Sequence, residues 1–233
     1  MNIYILTSDK SNFVIKALQY CINKFWKPNP KVFILGYKEP AVKLEKNFTF
    51  VSLGEDRGPE HVGGDLIRFF SKIKDKHFIF SVDDFLPIRK VNKKMLTHLK
   101  QKMRLDSVGR ISLTDQVSDK QHSVVEQLEQ YNIIEMAQNA NYRKSAVWSL
   151  WSKEYFLKYL NPKMTLWQWE LDERCKGDGI RILGTNTTFI MQSCHLFKRG
   201  KLKADWVTDS ESDDVMFEKD QKVVSEIIGI VNE

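Results

Sequence analysis

The stretch His77-Phe78-Ile79-Phe80-Ser81-Val82-Asp83-Asp84-Phe85-Leu86-Pro87 limits what this chain can fold into more than any other. A β-branched and aromatic run that ends in charge marks a buried strand of an α/β sheet, and ligands of such sheets sit at the carboxyl ends of strands. Asp83 and Asp84 then stand at a rim, facing a crevice. Adjacent carboxylates repel, so a cation or an ordered set of donors is expected between them and an anionic ligand. Aspartate is also a common turn residue, and an Asx-type turn ending the strand explains the pair as well. The spacing alone leaves both open.

The segments upstream set that strand in an α/β order. Residues 2–7 read as a first strand, after which Asp9 or Ser11 is placed to cap a helix carrying Phe13, Val14, Ala17, Leu18, Cys21, Ile22 and Phe25 on one stripe. Pro28 and Pro30 end it, and residues 31–36 and 48–53 read as the second and third strands. Strand, helix, strand at this spacing opens a nucleotide-binding half, with base and ribose contacts expected in the loops around Thr7-Ser8 and Glu55-Asp56-Arg57. Gly58-Pro59 and His61-Val62-Gly63-Gly64 form neither GxGxxG nor GxxxxGK[ST], so dinucleotide and P-loop readings fail. His61 is alone and reads as a surface residue. Leu66, Ile67, Phe69, Phe70 and Ile73 supply the buried face of the helix before the central strand. Beyond Pro87, residues 92–103 form a basic amphipathic helix with Asn92 as N-cap. Residues 108–113 and 131–136 read as strands, separated by a polar loop or short helix at 114–130. Residues 187–194 alternate toward a late strand, and 215–231 read as a final helix capped by the acidic run 209–214.

At 233 residues the chain fits one α/β domain with two functional halves, 1–110 and 111–233. A hydrophobic fraction of 42% and an aromatic fraction of 12% exclude disorder. No apolar run approaches a membrane span, and Ile3-Tyr4-Ile5-Leu6 is too short for a signal peptide, so a cytoplasmic location is expected. Cys21, Cys175 and Cys194 lack metal spacing and leave an odd number, in keeping with a reducing compartment. A net charge of +6 favours anionic partners. Lysine is spread along the chain with no helix-turn-helix, zinc-finger or RNP pattern, so nucleic acid is not expected among them.

The run from Gly54 to Pro87, with its charged loop Glu55-Asp56-Arg57 and its helix beginning near Glu60, resembles the donor half of GT-A-fold glycosyltransferases. Tyr142-Arg143-Lys144-Ser145-Ala146-Val147-Trp148-Ser149-Leu150-Trp151 and Leu166-Trp167-Gln168-Trp169-Glu170 are similar to the acceptor half of small bacterial and viral transferases of that fold. The blocks span most of the chain; their order and spacing carry the resemblance, since each alone is short. The family's metal motif is Asp-x-Asp or a triple Asp, and here its leading position is Ser81. The resemblance implies a GT-A-like single domain with a mostly parallel, Rossmann-like sheet flanked by helices. It implies transfer of a sugar from a nucleotide-diphosphate sugar to a hydroxyl of a glycan or glycolipid. The alternatives are a sugar nucleotidyltransferase, whose glycine- and arginine-rich signature is missing after the first strand, and a binding protein of the same fold without catalysis, which Ser81 favours.

The resemblance assigns Asp56 to the base or ribose and Arg57 to a phosphate. Asp84 is the first choice for a Mn²⁺ or Mg²⁺ ligand, with Asp83 holding the ion through water or touching the donor. A C-terminal histidine and basic residues close over the diphosphate in some enzymes of the fold, which gives His195 to the metal and Arg199 and Lys201 to the donor. The family's general base lies in an acidic motif like the one after Thr165, so the role passes to Glu170, with Asp172 second. An exposed helix with Glu170 paired to Arg174 explains the same residues without chemistry. Trp148, Trp167 and Trp169 are candidates for an acceptor wall, because aromatic faces stack on the C–H faces of sugar rings. The absence of a covalent nucleophile beside a candidate base favours inversion, and the positive charge suits peripheral contact with a membrane carrying a lipid-linked acceptor.

Overall fold

The computed structural model describes residues 1–105, 107–129, 131–186, 190–198, 201–202 and 218–232. In chain order the first elements are β1 (Ile3–Leu6), α1 (Ile15–Phe25), β2 (Val32–Gly36), β3 (Phe48–Ser52), α2 (Val62–Phe70), β4 (His77–Val82), β5 (Phe85–Pro87), α3 (Lys93–Leu105) and β6 (Val108–Ser112). There follow β7 (His122–Gln127), β8 (Asn132–Met136), β9 (Ser149–Ser152), α4 (Lys153–Lys158), α5 (Leu166–Leu171) and β10 (Arg181–Thr185). The chain continues with β11 (Ser193–His195), the paired β12 (Phe197–Lys198) and β13 (Lys201–Leu202), and α6 (Glu218–Asn232).

Nine strands form one sheet in the order β3-β2-β1-β4-β9-β6-β10-β8-β7. Only β9 and β8 run against the rest, so the sheet is mostly parallel in direction. Its β3-β2-β1-β4 half is wholly parallel, and β9 is inserted antiparallel between β4 and β6. This is the GT-A-like α/β arrangement expected from the sequence. The two-residue side-chain period of a strand explains the layering. Ile3, Ile5 and Ile79 point into a core shared with α1, α3 and α6, while Tyr4, Leu6, Phe78 and Phe80 point into a second core. There they meet Leu66 and Phe70 of α2, Phe156 of α4 and Trp169 of α5. With both faces covered, β4 has no polar side to show, which is why its sequence is mostly apolar between His77 and Val82.

Several local expectations change. Asp83 and Asp84 occupy a turn from β4 into β5, so Pro87 does not stop a strand but sits in a short one, paired antiparallel with β11. Neither Asp9 nor Ser11 caps the helix start: Asp9 accepts from the Lys38 N–H, and the Ser11 hydroxyl is turned to Asp83. Asn92 does accept from the Met95 N–H at 3.2 Å. The polar stretch after β6 contains a strand, β7, whose side chains are almost all exposed at the sheet edge. Gly63 lets α2 approach the loop before α5: its N–H donates to the Met164 carbonyl at 2.9 Å, and a Cβ there would lie 2.3 Å from the Asn161 oxygen. The glycine pair thus serves helix-to-loop packing, which fixes where α5 begins. All three cysteines are buried, and no helix among the described residues is long and apolar enough to cross a membrane.

Candidate functional site

The pairing register brings the site together. Leu6 lies beside Val82, and Phe80 beside Ser149, so the residues after β1, those after β4 and those before β9 meet at one sheet edge. That edge is the carboxyl end of the parallel strands, where crevices of open α/β sheets form.

The two aspartates differ in what they face. Asp83 is buried, and its Oδ2 accepts hydrogen bonds from the Ser11 hydroxyl at 2.6 Å and from the Thr7 hydroxyl. Burial raises its carboxyl to about 7, against the opposing pull of those hydroxyls. Through Oδ2, Asp83 ties the loop after β1 to the end of β4. Thr7 spends its hydroxyl proton on Asp83 and keeps the acceptor capacity of its oxygen. Ser8 is exposed, with its hydroxyl 2.9 Å from that of Ser11. Asp84 points the other way. Its Oδ2 lies 3.1 Å from His195 Nε2, and its Oδ1 is buried with no hydrogen-bond partner among the described residues. His195 is delivered by β11, where it pairs with Phe85 and stacks on that ring at 4.5 Å.

An unsatisfied buried carboxylate oxygen is costly and calls for a ligand. Among the described residues there is no group of three or more His, Cys, Asp or Glu side chains able to hold a metal ion alone. Asp84 and His195 supply two donors, so an ion here would need oxygens from a bound ligand as well. A carboxylate with an imidazole suits Mn²⁺ better than Mg²⁺, which prefers oxygen throughout. Ser81, where the resemblance would place a leading carboxylate, faces inward: its hydroxyl accepts from the Trp148 backbone N–H and donates to the Val82 carbonyl, and its side chain is fully buried.

Glu170 comes from α5, whose start is fixed by a capping box between Thr165 and Gln168. Trp169, fully buried against Trp151 and Phe156, sets the helix's rotation and turns its neighbour Glu170 toward the loop before β9. There Glu170 Oε1 accepts from the Ala146 N–H at 2.6 Å. Burial raises its pKa, that backbone hydrogen bond and the charge of Arg110 lower it in part, and the negative charge of Asp84 adds to the rise. The two carboxylates thus share one electrostatic neighbourhood. Arg174 does not pair with Glu170; it pairs with Asp172, whose Oδ1 also caps the following turn. Burial works to raise Asp172, but hydrogen bonds from Arg174 and the charge of Lys144 hold it below the usual range. Asp172, the second candidate for the base, is thus held in ion pairs with Arg174 and Lys144.

Sequence reasoning missed the scaffold of the loop before β9. Arg110, fully buried, donates to Ser149 Oγ at 2.9 Å, the Tyr142 carbonyl at 3.2 Å, the Arg143 carbonyl at 3.4 Å and Gln116 Oε1 at 3.3 Å. Arg143 and Lys144, equally buried, bond to the carbonyls of Cys175 and Asp172. The only sequence signal was a lone arginine inside the strand reading 108–113.

The tryptophans divide. Trp148 and Trp169 are fully buried and show no face to a ligand, so both are corrected to core; Trp148 Nε1 donates to the Phe85 carbonyl at 2.7 Å, bracing the Asp83-Asp84 turn. Trp167 is 59% exposed. On the donor side, Asp56 accepts from the Gly58 N–H in an exposed turn. Arg57 is half-exposed, with one nitrogen 2.7 Å from the buried Asp65, which also holds Arg68 and Tyr37. Arg199 lies outside the described residues, as do the acidic run 209–214 and residues 187–189; for Lys201 only the backbone, in β13, is described.

No family model matches the chain, and no curated protein matches it. Among solved structures it is similar to UTP-bound UGPase from Acinetobacter baumannii, at 10% identity over 98% of this chain and 99% of that one, with a TM-score of 0.50. It is also similar to TarS 1-349 from S. aureus, at 11% identity over 79% and 58% of the two chains with a TM-score of 0.48. A third is HddC from Yersinia pseudotuberculosis, at 13% identity over 91% and 99% with a TM-score of 0.45. Identities this low speak to the fold alone.

Proposed function

We propose that this chain is a glycosyltransferase that moves a sugar from a nucleotide-diphosphate sugar to a hydroxyl of a glycan or glycolipid, with inversion. The observation that carries the reading is Glu170: a half-buried carboxylate of raised pKa, held by a backbone N–H at the sheet edge where Asp84 and His195 meet. An acceptor hydroxyl is a poor nucleophile, and a positioned base contributes about 10²–10⁴ in rate. In a single displacement, the acceptor oxygen forms a bond to the anomeric carbon as its proton passes to Glu170. The bond from that carbon to the phosphate oxygen breaks, and the nucleoside diphosphate leaves with the electron pair.

Arg57, exposed in the loop after β3 and paired with Asp65, is assigned to the donor's phosphate side, with Asp56 and Ser8 beside the base and ribose. Asp84 and His195 would hold a divalent ion, Mn²⁺ for preference, which supplies neutralising charge for the departing diphosphate when bound. Lys201 and Arg199 remain assigned to the donor by the family resemblance.

A second reading, sugar nucleotidyl transfer, fits the likeness to UGPase equally, because one fold hosts both chemistries. The two differ in what they ask of Glu170. A sugar phosphate attacks through an oxygen that is already anionic and needs no base. The test is Glu170→Gln assayed for both reactions. Loss of about 10²–10⁴ in release of nucleoside diphosphate from a nucleotide sugar is the expected result. Pyrophosphate release from a nucleoside triphosphate and a sugar phosphate, unchanged by the substitution, would establish the second reading instead.

A further inference from the structure

Beside Glu170 two large aromatic side chains stand in solvent. Trp167 is 59% exposed and Tyr142 is 37% exposed, with ring centroids 6.3 Å apart. Large aromatic rings are seldom left so open in a packed domain. Each is held from behind. Trp167 lies on the first turn of α5, fixed by the Thr165 capping box and by buried Trp169. It precedes Glu170 by three positions, so the two lie on one helix face. Tyr142 has a left-handed backbone, φ +56°, with its carbonyl anchored by the buried Arg110 guanidinium. A tyrosine in that sparsely populated conformation, with its ring outside the core, is a candidate for a functional role.

Tyr142 also lines a cavity of about 370 Å³ together with Asn141, Glu170, Asp172, Glu173 and Lys176. That volume falls within the usual range for small-molecule sites, about 300–1,000 Å³. Its polar wall carries carboxylates, an amide and the Lys176 ammonium, which is paired with Glu173 at 2.6 Å, beside the Tyr142 ring. A pyranose ring has matching chemistry, with C–H faces for the rings and hydroxyls for the polar groups. A protein partner would need a far broader apolar surface than two rings provide.

We propose that Tyr142 and Trp167, with the cavity beside them, form the subsite for a pyranose ring of the acceptor and present one of its hydroxyls to Glu170. The presentation to Glu170 rests on the transferase reading above; the ring-binding itself does not. Tyr142, which sequence reasoning did not single out as a site residue, is thereby assigned a binding role, and the acceptor is a saccharide recognised by ring stacking.

The test is saturation-transfer NMR with the methyl glycosides of glucose, galactose, mannose and N-acetylglucosamine, on the wild type, Trp167→Ala, Trp167→Phe and Tyr142→Ala. Saturation of the C–H protons of at least one glycoside by the wild type is expected. Affinity should fall about tenfold or more in both alanine variants and be largely kept in Trp167→Phe. Melting temperatures should stay within about 2 °C of the wild type, because both rings are exposed. Wild-type binding in the alanine variants, or no saturation of any glycoside, would overturn the subsite. Glycoside binding through the pair in a protein that releases no nucleoside diphosphate from nucleotide sugars would overturn the transferase reading and leave the subsite standing. Turnover of a nucleotide sugar with glycosides indifferent to the pair would do the reverse.

Discussion

Arg110 is the residue whose loss should be felt furthest. Its guanidinium is fully buried over the Trp151 ring at 5.6 Å and donates to four oxygens, two of them the Tyr142 and Arg143 carbonyls of the loop that carries Ala146. Burial lowers its pKa to about 10, with Glu170 the largest opposing influence, so it remains charged at neutral pH. In Arg110→Met, two of those oxygens have recourse: Ser149 still donates to the Val147 carbonyl, and Gln116 still accepts from Ser145. The carbonyls of Tyr142 and Arg143 lose a donor in a place that water reaches poorly. At about 1–3 kcal/mol for each stranded group, and with some recovery from methionine on Trp151, the expected loss of stability is about 2–4 kcal/mol. That corresponds to a fall in Tm of about 5–15 °C.

The same substitution should also move chemistry. Arg110's charge favours the ionised form of Glu170, so its removal raises the Glu170 pKa further. A base works only when ionised, so the acid limb of the kcat/KM profile should shift to higher pH in Arg110→Met and much less in Arg110→Lys, which keeps the charge. Urea denaturation and a pH–rate profile read the two effects separately. A stability change under about 0.5 kcal/mol, or an acid limb that does not move, would refute the reasoning about this scaffold.

Three further outcomes follow. In the wild type the acid limb should lie above the ordinary glutamate value of 4.5, because burial raises Glu170, and it should vanish in Glu170→Gln. Asp84→Asn should abolish any Mn²⁺-dependent rise in Tm in the presence of a nucleoside diphosphate while leaving the protein folded, since Asp84 stands half-exposed at the turn; an undiminished Mn²⁺ effect would move the ion site elsewhere. Trp148→Phe should cost about 1–3 kcal/mol by chemical denaturation, through lost packing and an unpaired Phe85 carbonyl, with glycoside binding unchanged.

The parallel half of the fold was legible because it is buried on both faces. Apolar runs bounded by proline or charge placed β1 to β4 to within a residue or so, and the stripe on α1 announced its packing face. β7 was invisible because an edge strand with nearly every side chain in water carries no alternation. β9 was hidden inside a segment read for its tryptophans, and the same density of aromatics concealed which of them was core. Burial is a tertiary fact: Trp167 and Trp169 are two residues apart on a six-residue helix, and only the helix's rotation separates the solvent-facing ring from the core one. The Asp83-Asp84 pair was legible as a site or a turn, and it is a turn whose two carboxylates point apart. No spacing rule could have told which faced inward, because Thr7 and Ser11 stand more than seventy positions away in the chain.

The most direct test of the central claim is release of free nucleoside diphosphate from a panel of UDP-, GDP- and dTDP-sugars, with Mn²⁺ and a saccharide acceptor, by the wild type and Glu170→Gln. The account expects release from one nucleotide family, dependent on acceptor and cut about 10²–10⁴-fold by the substitution. Equal release by both proteins, or none from any donor alongside pyrophosphate formation from a nucleoside triphosphate and a sugar phosphate, would contradict it.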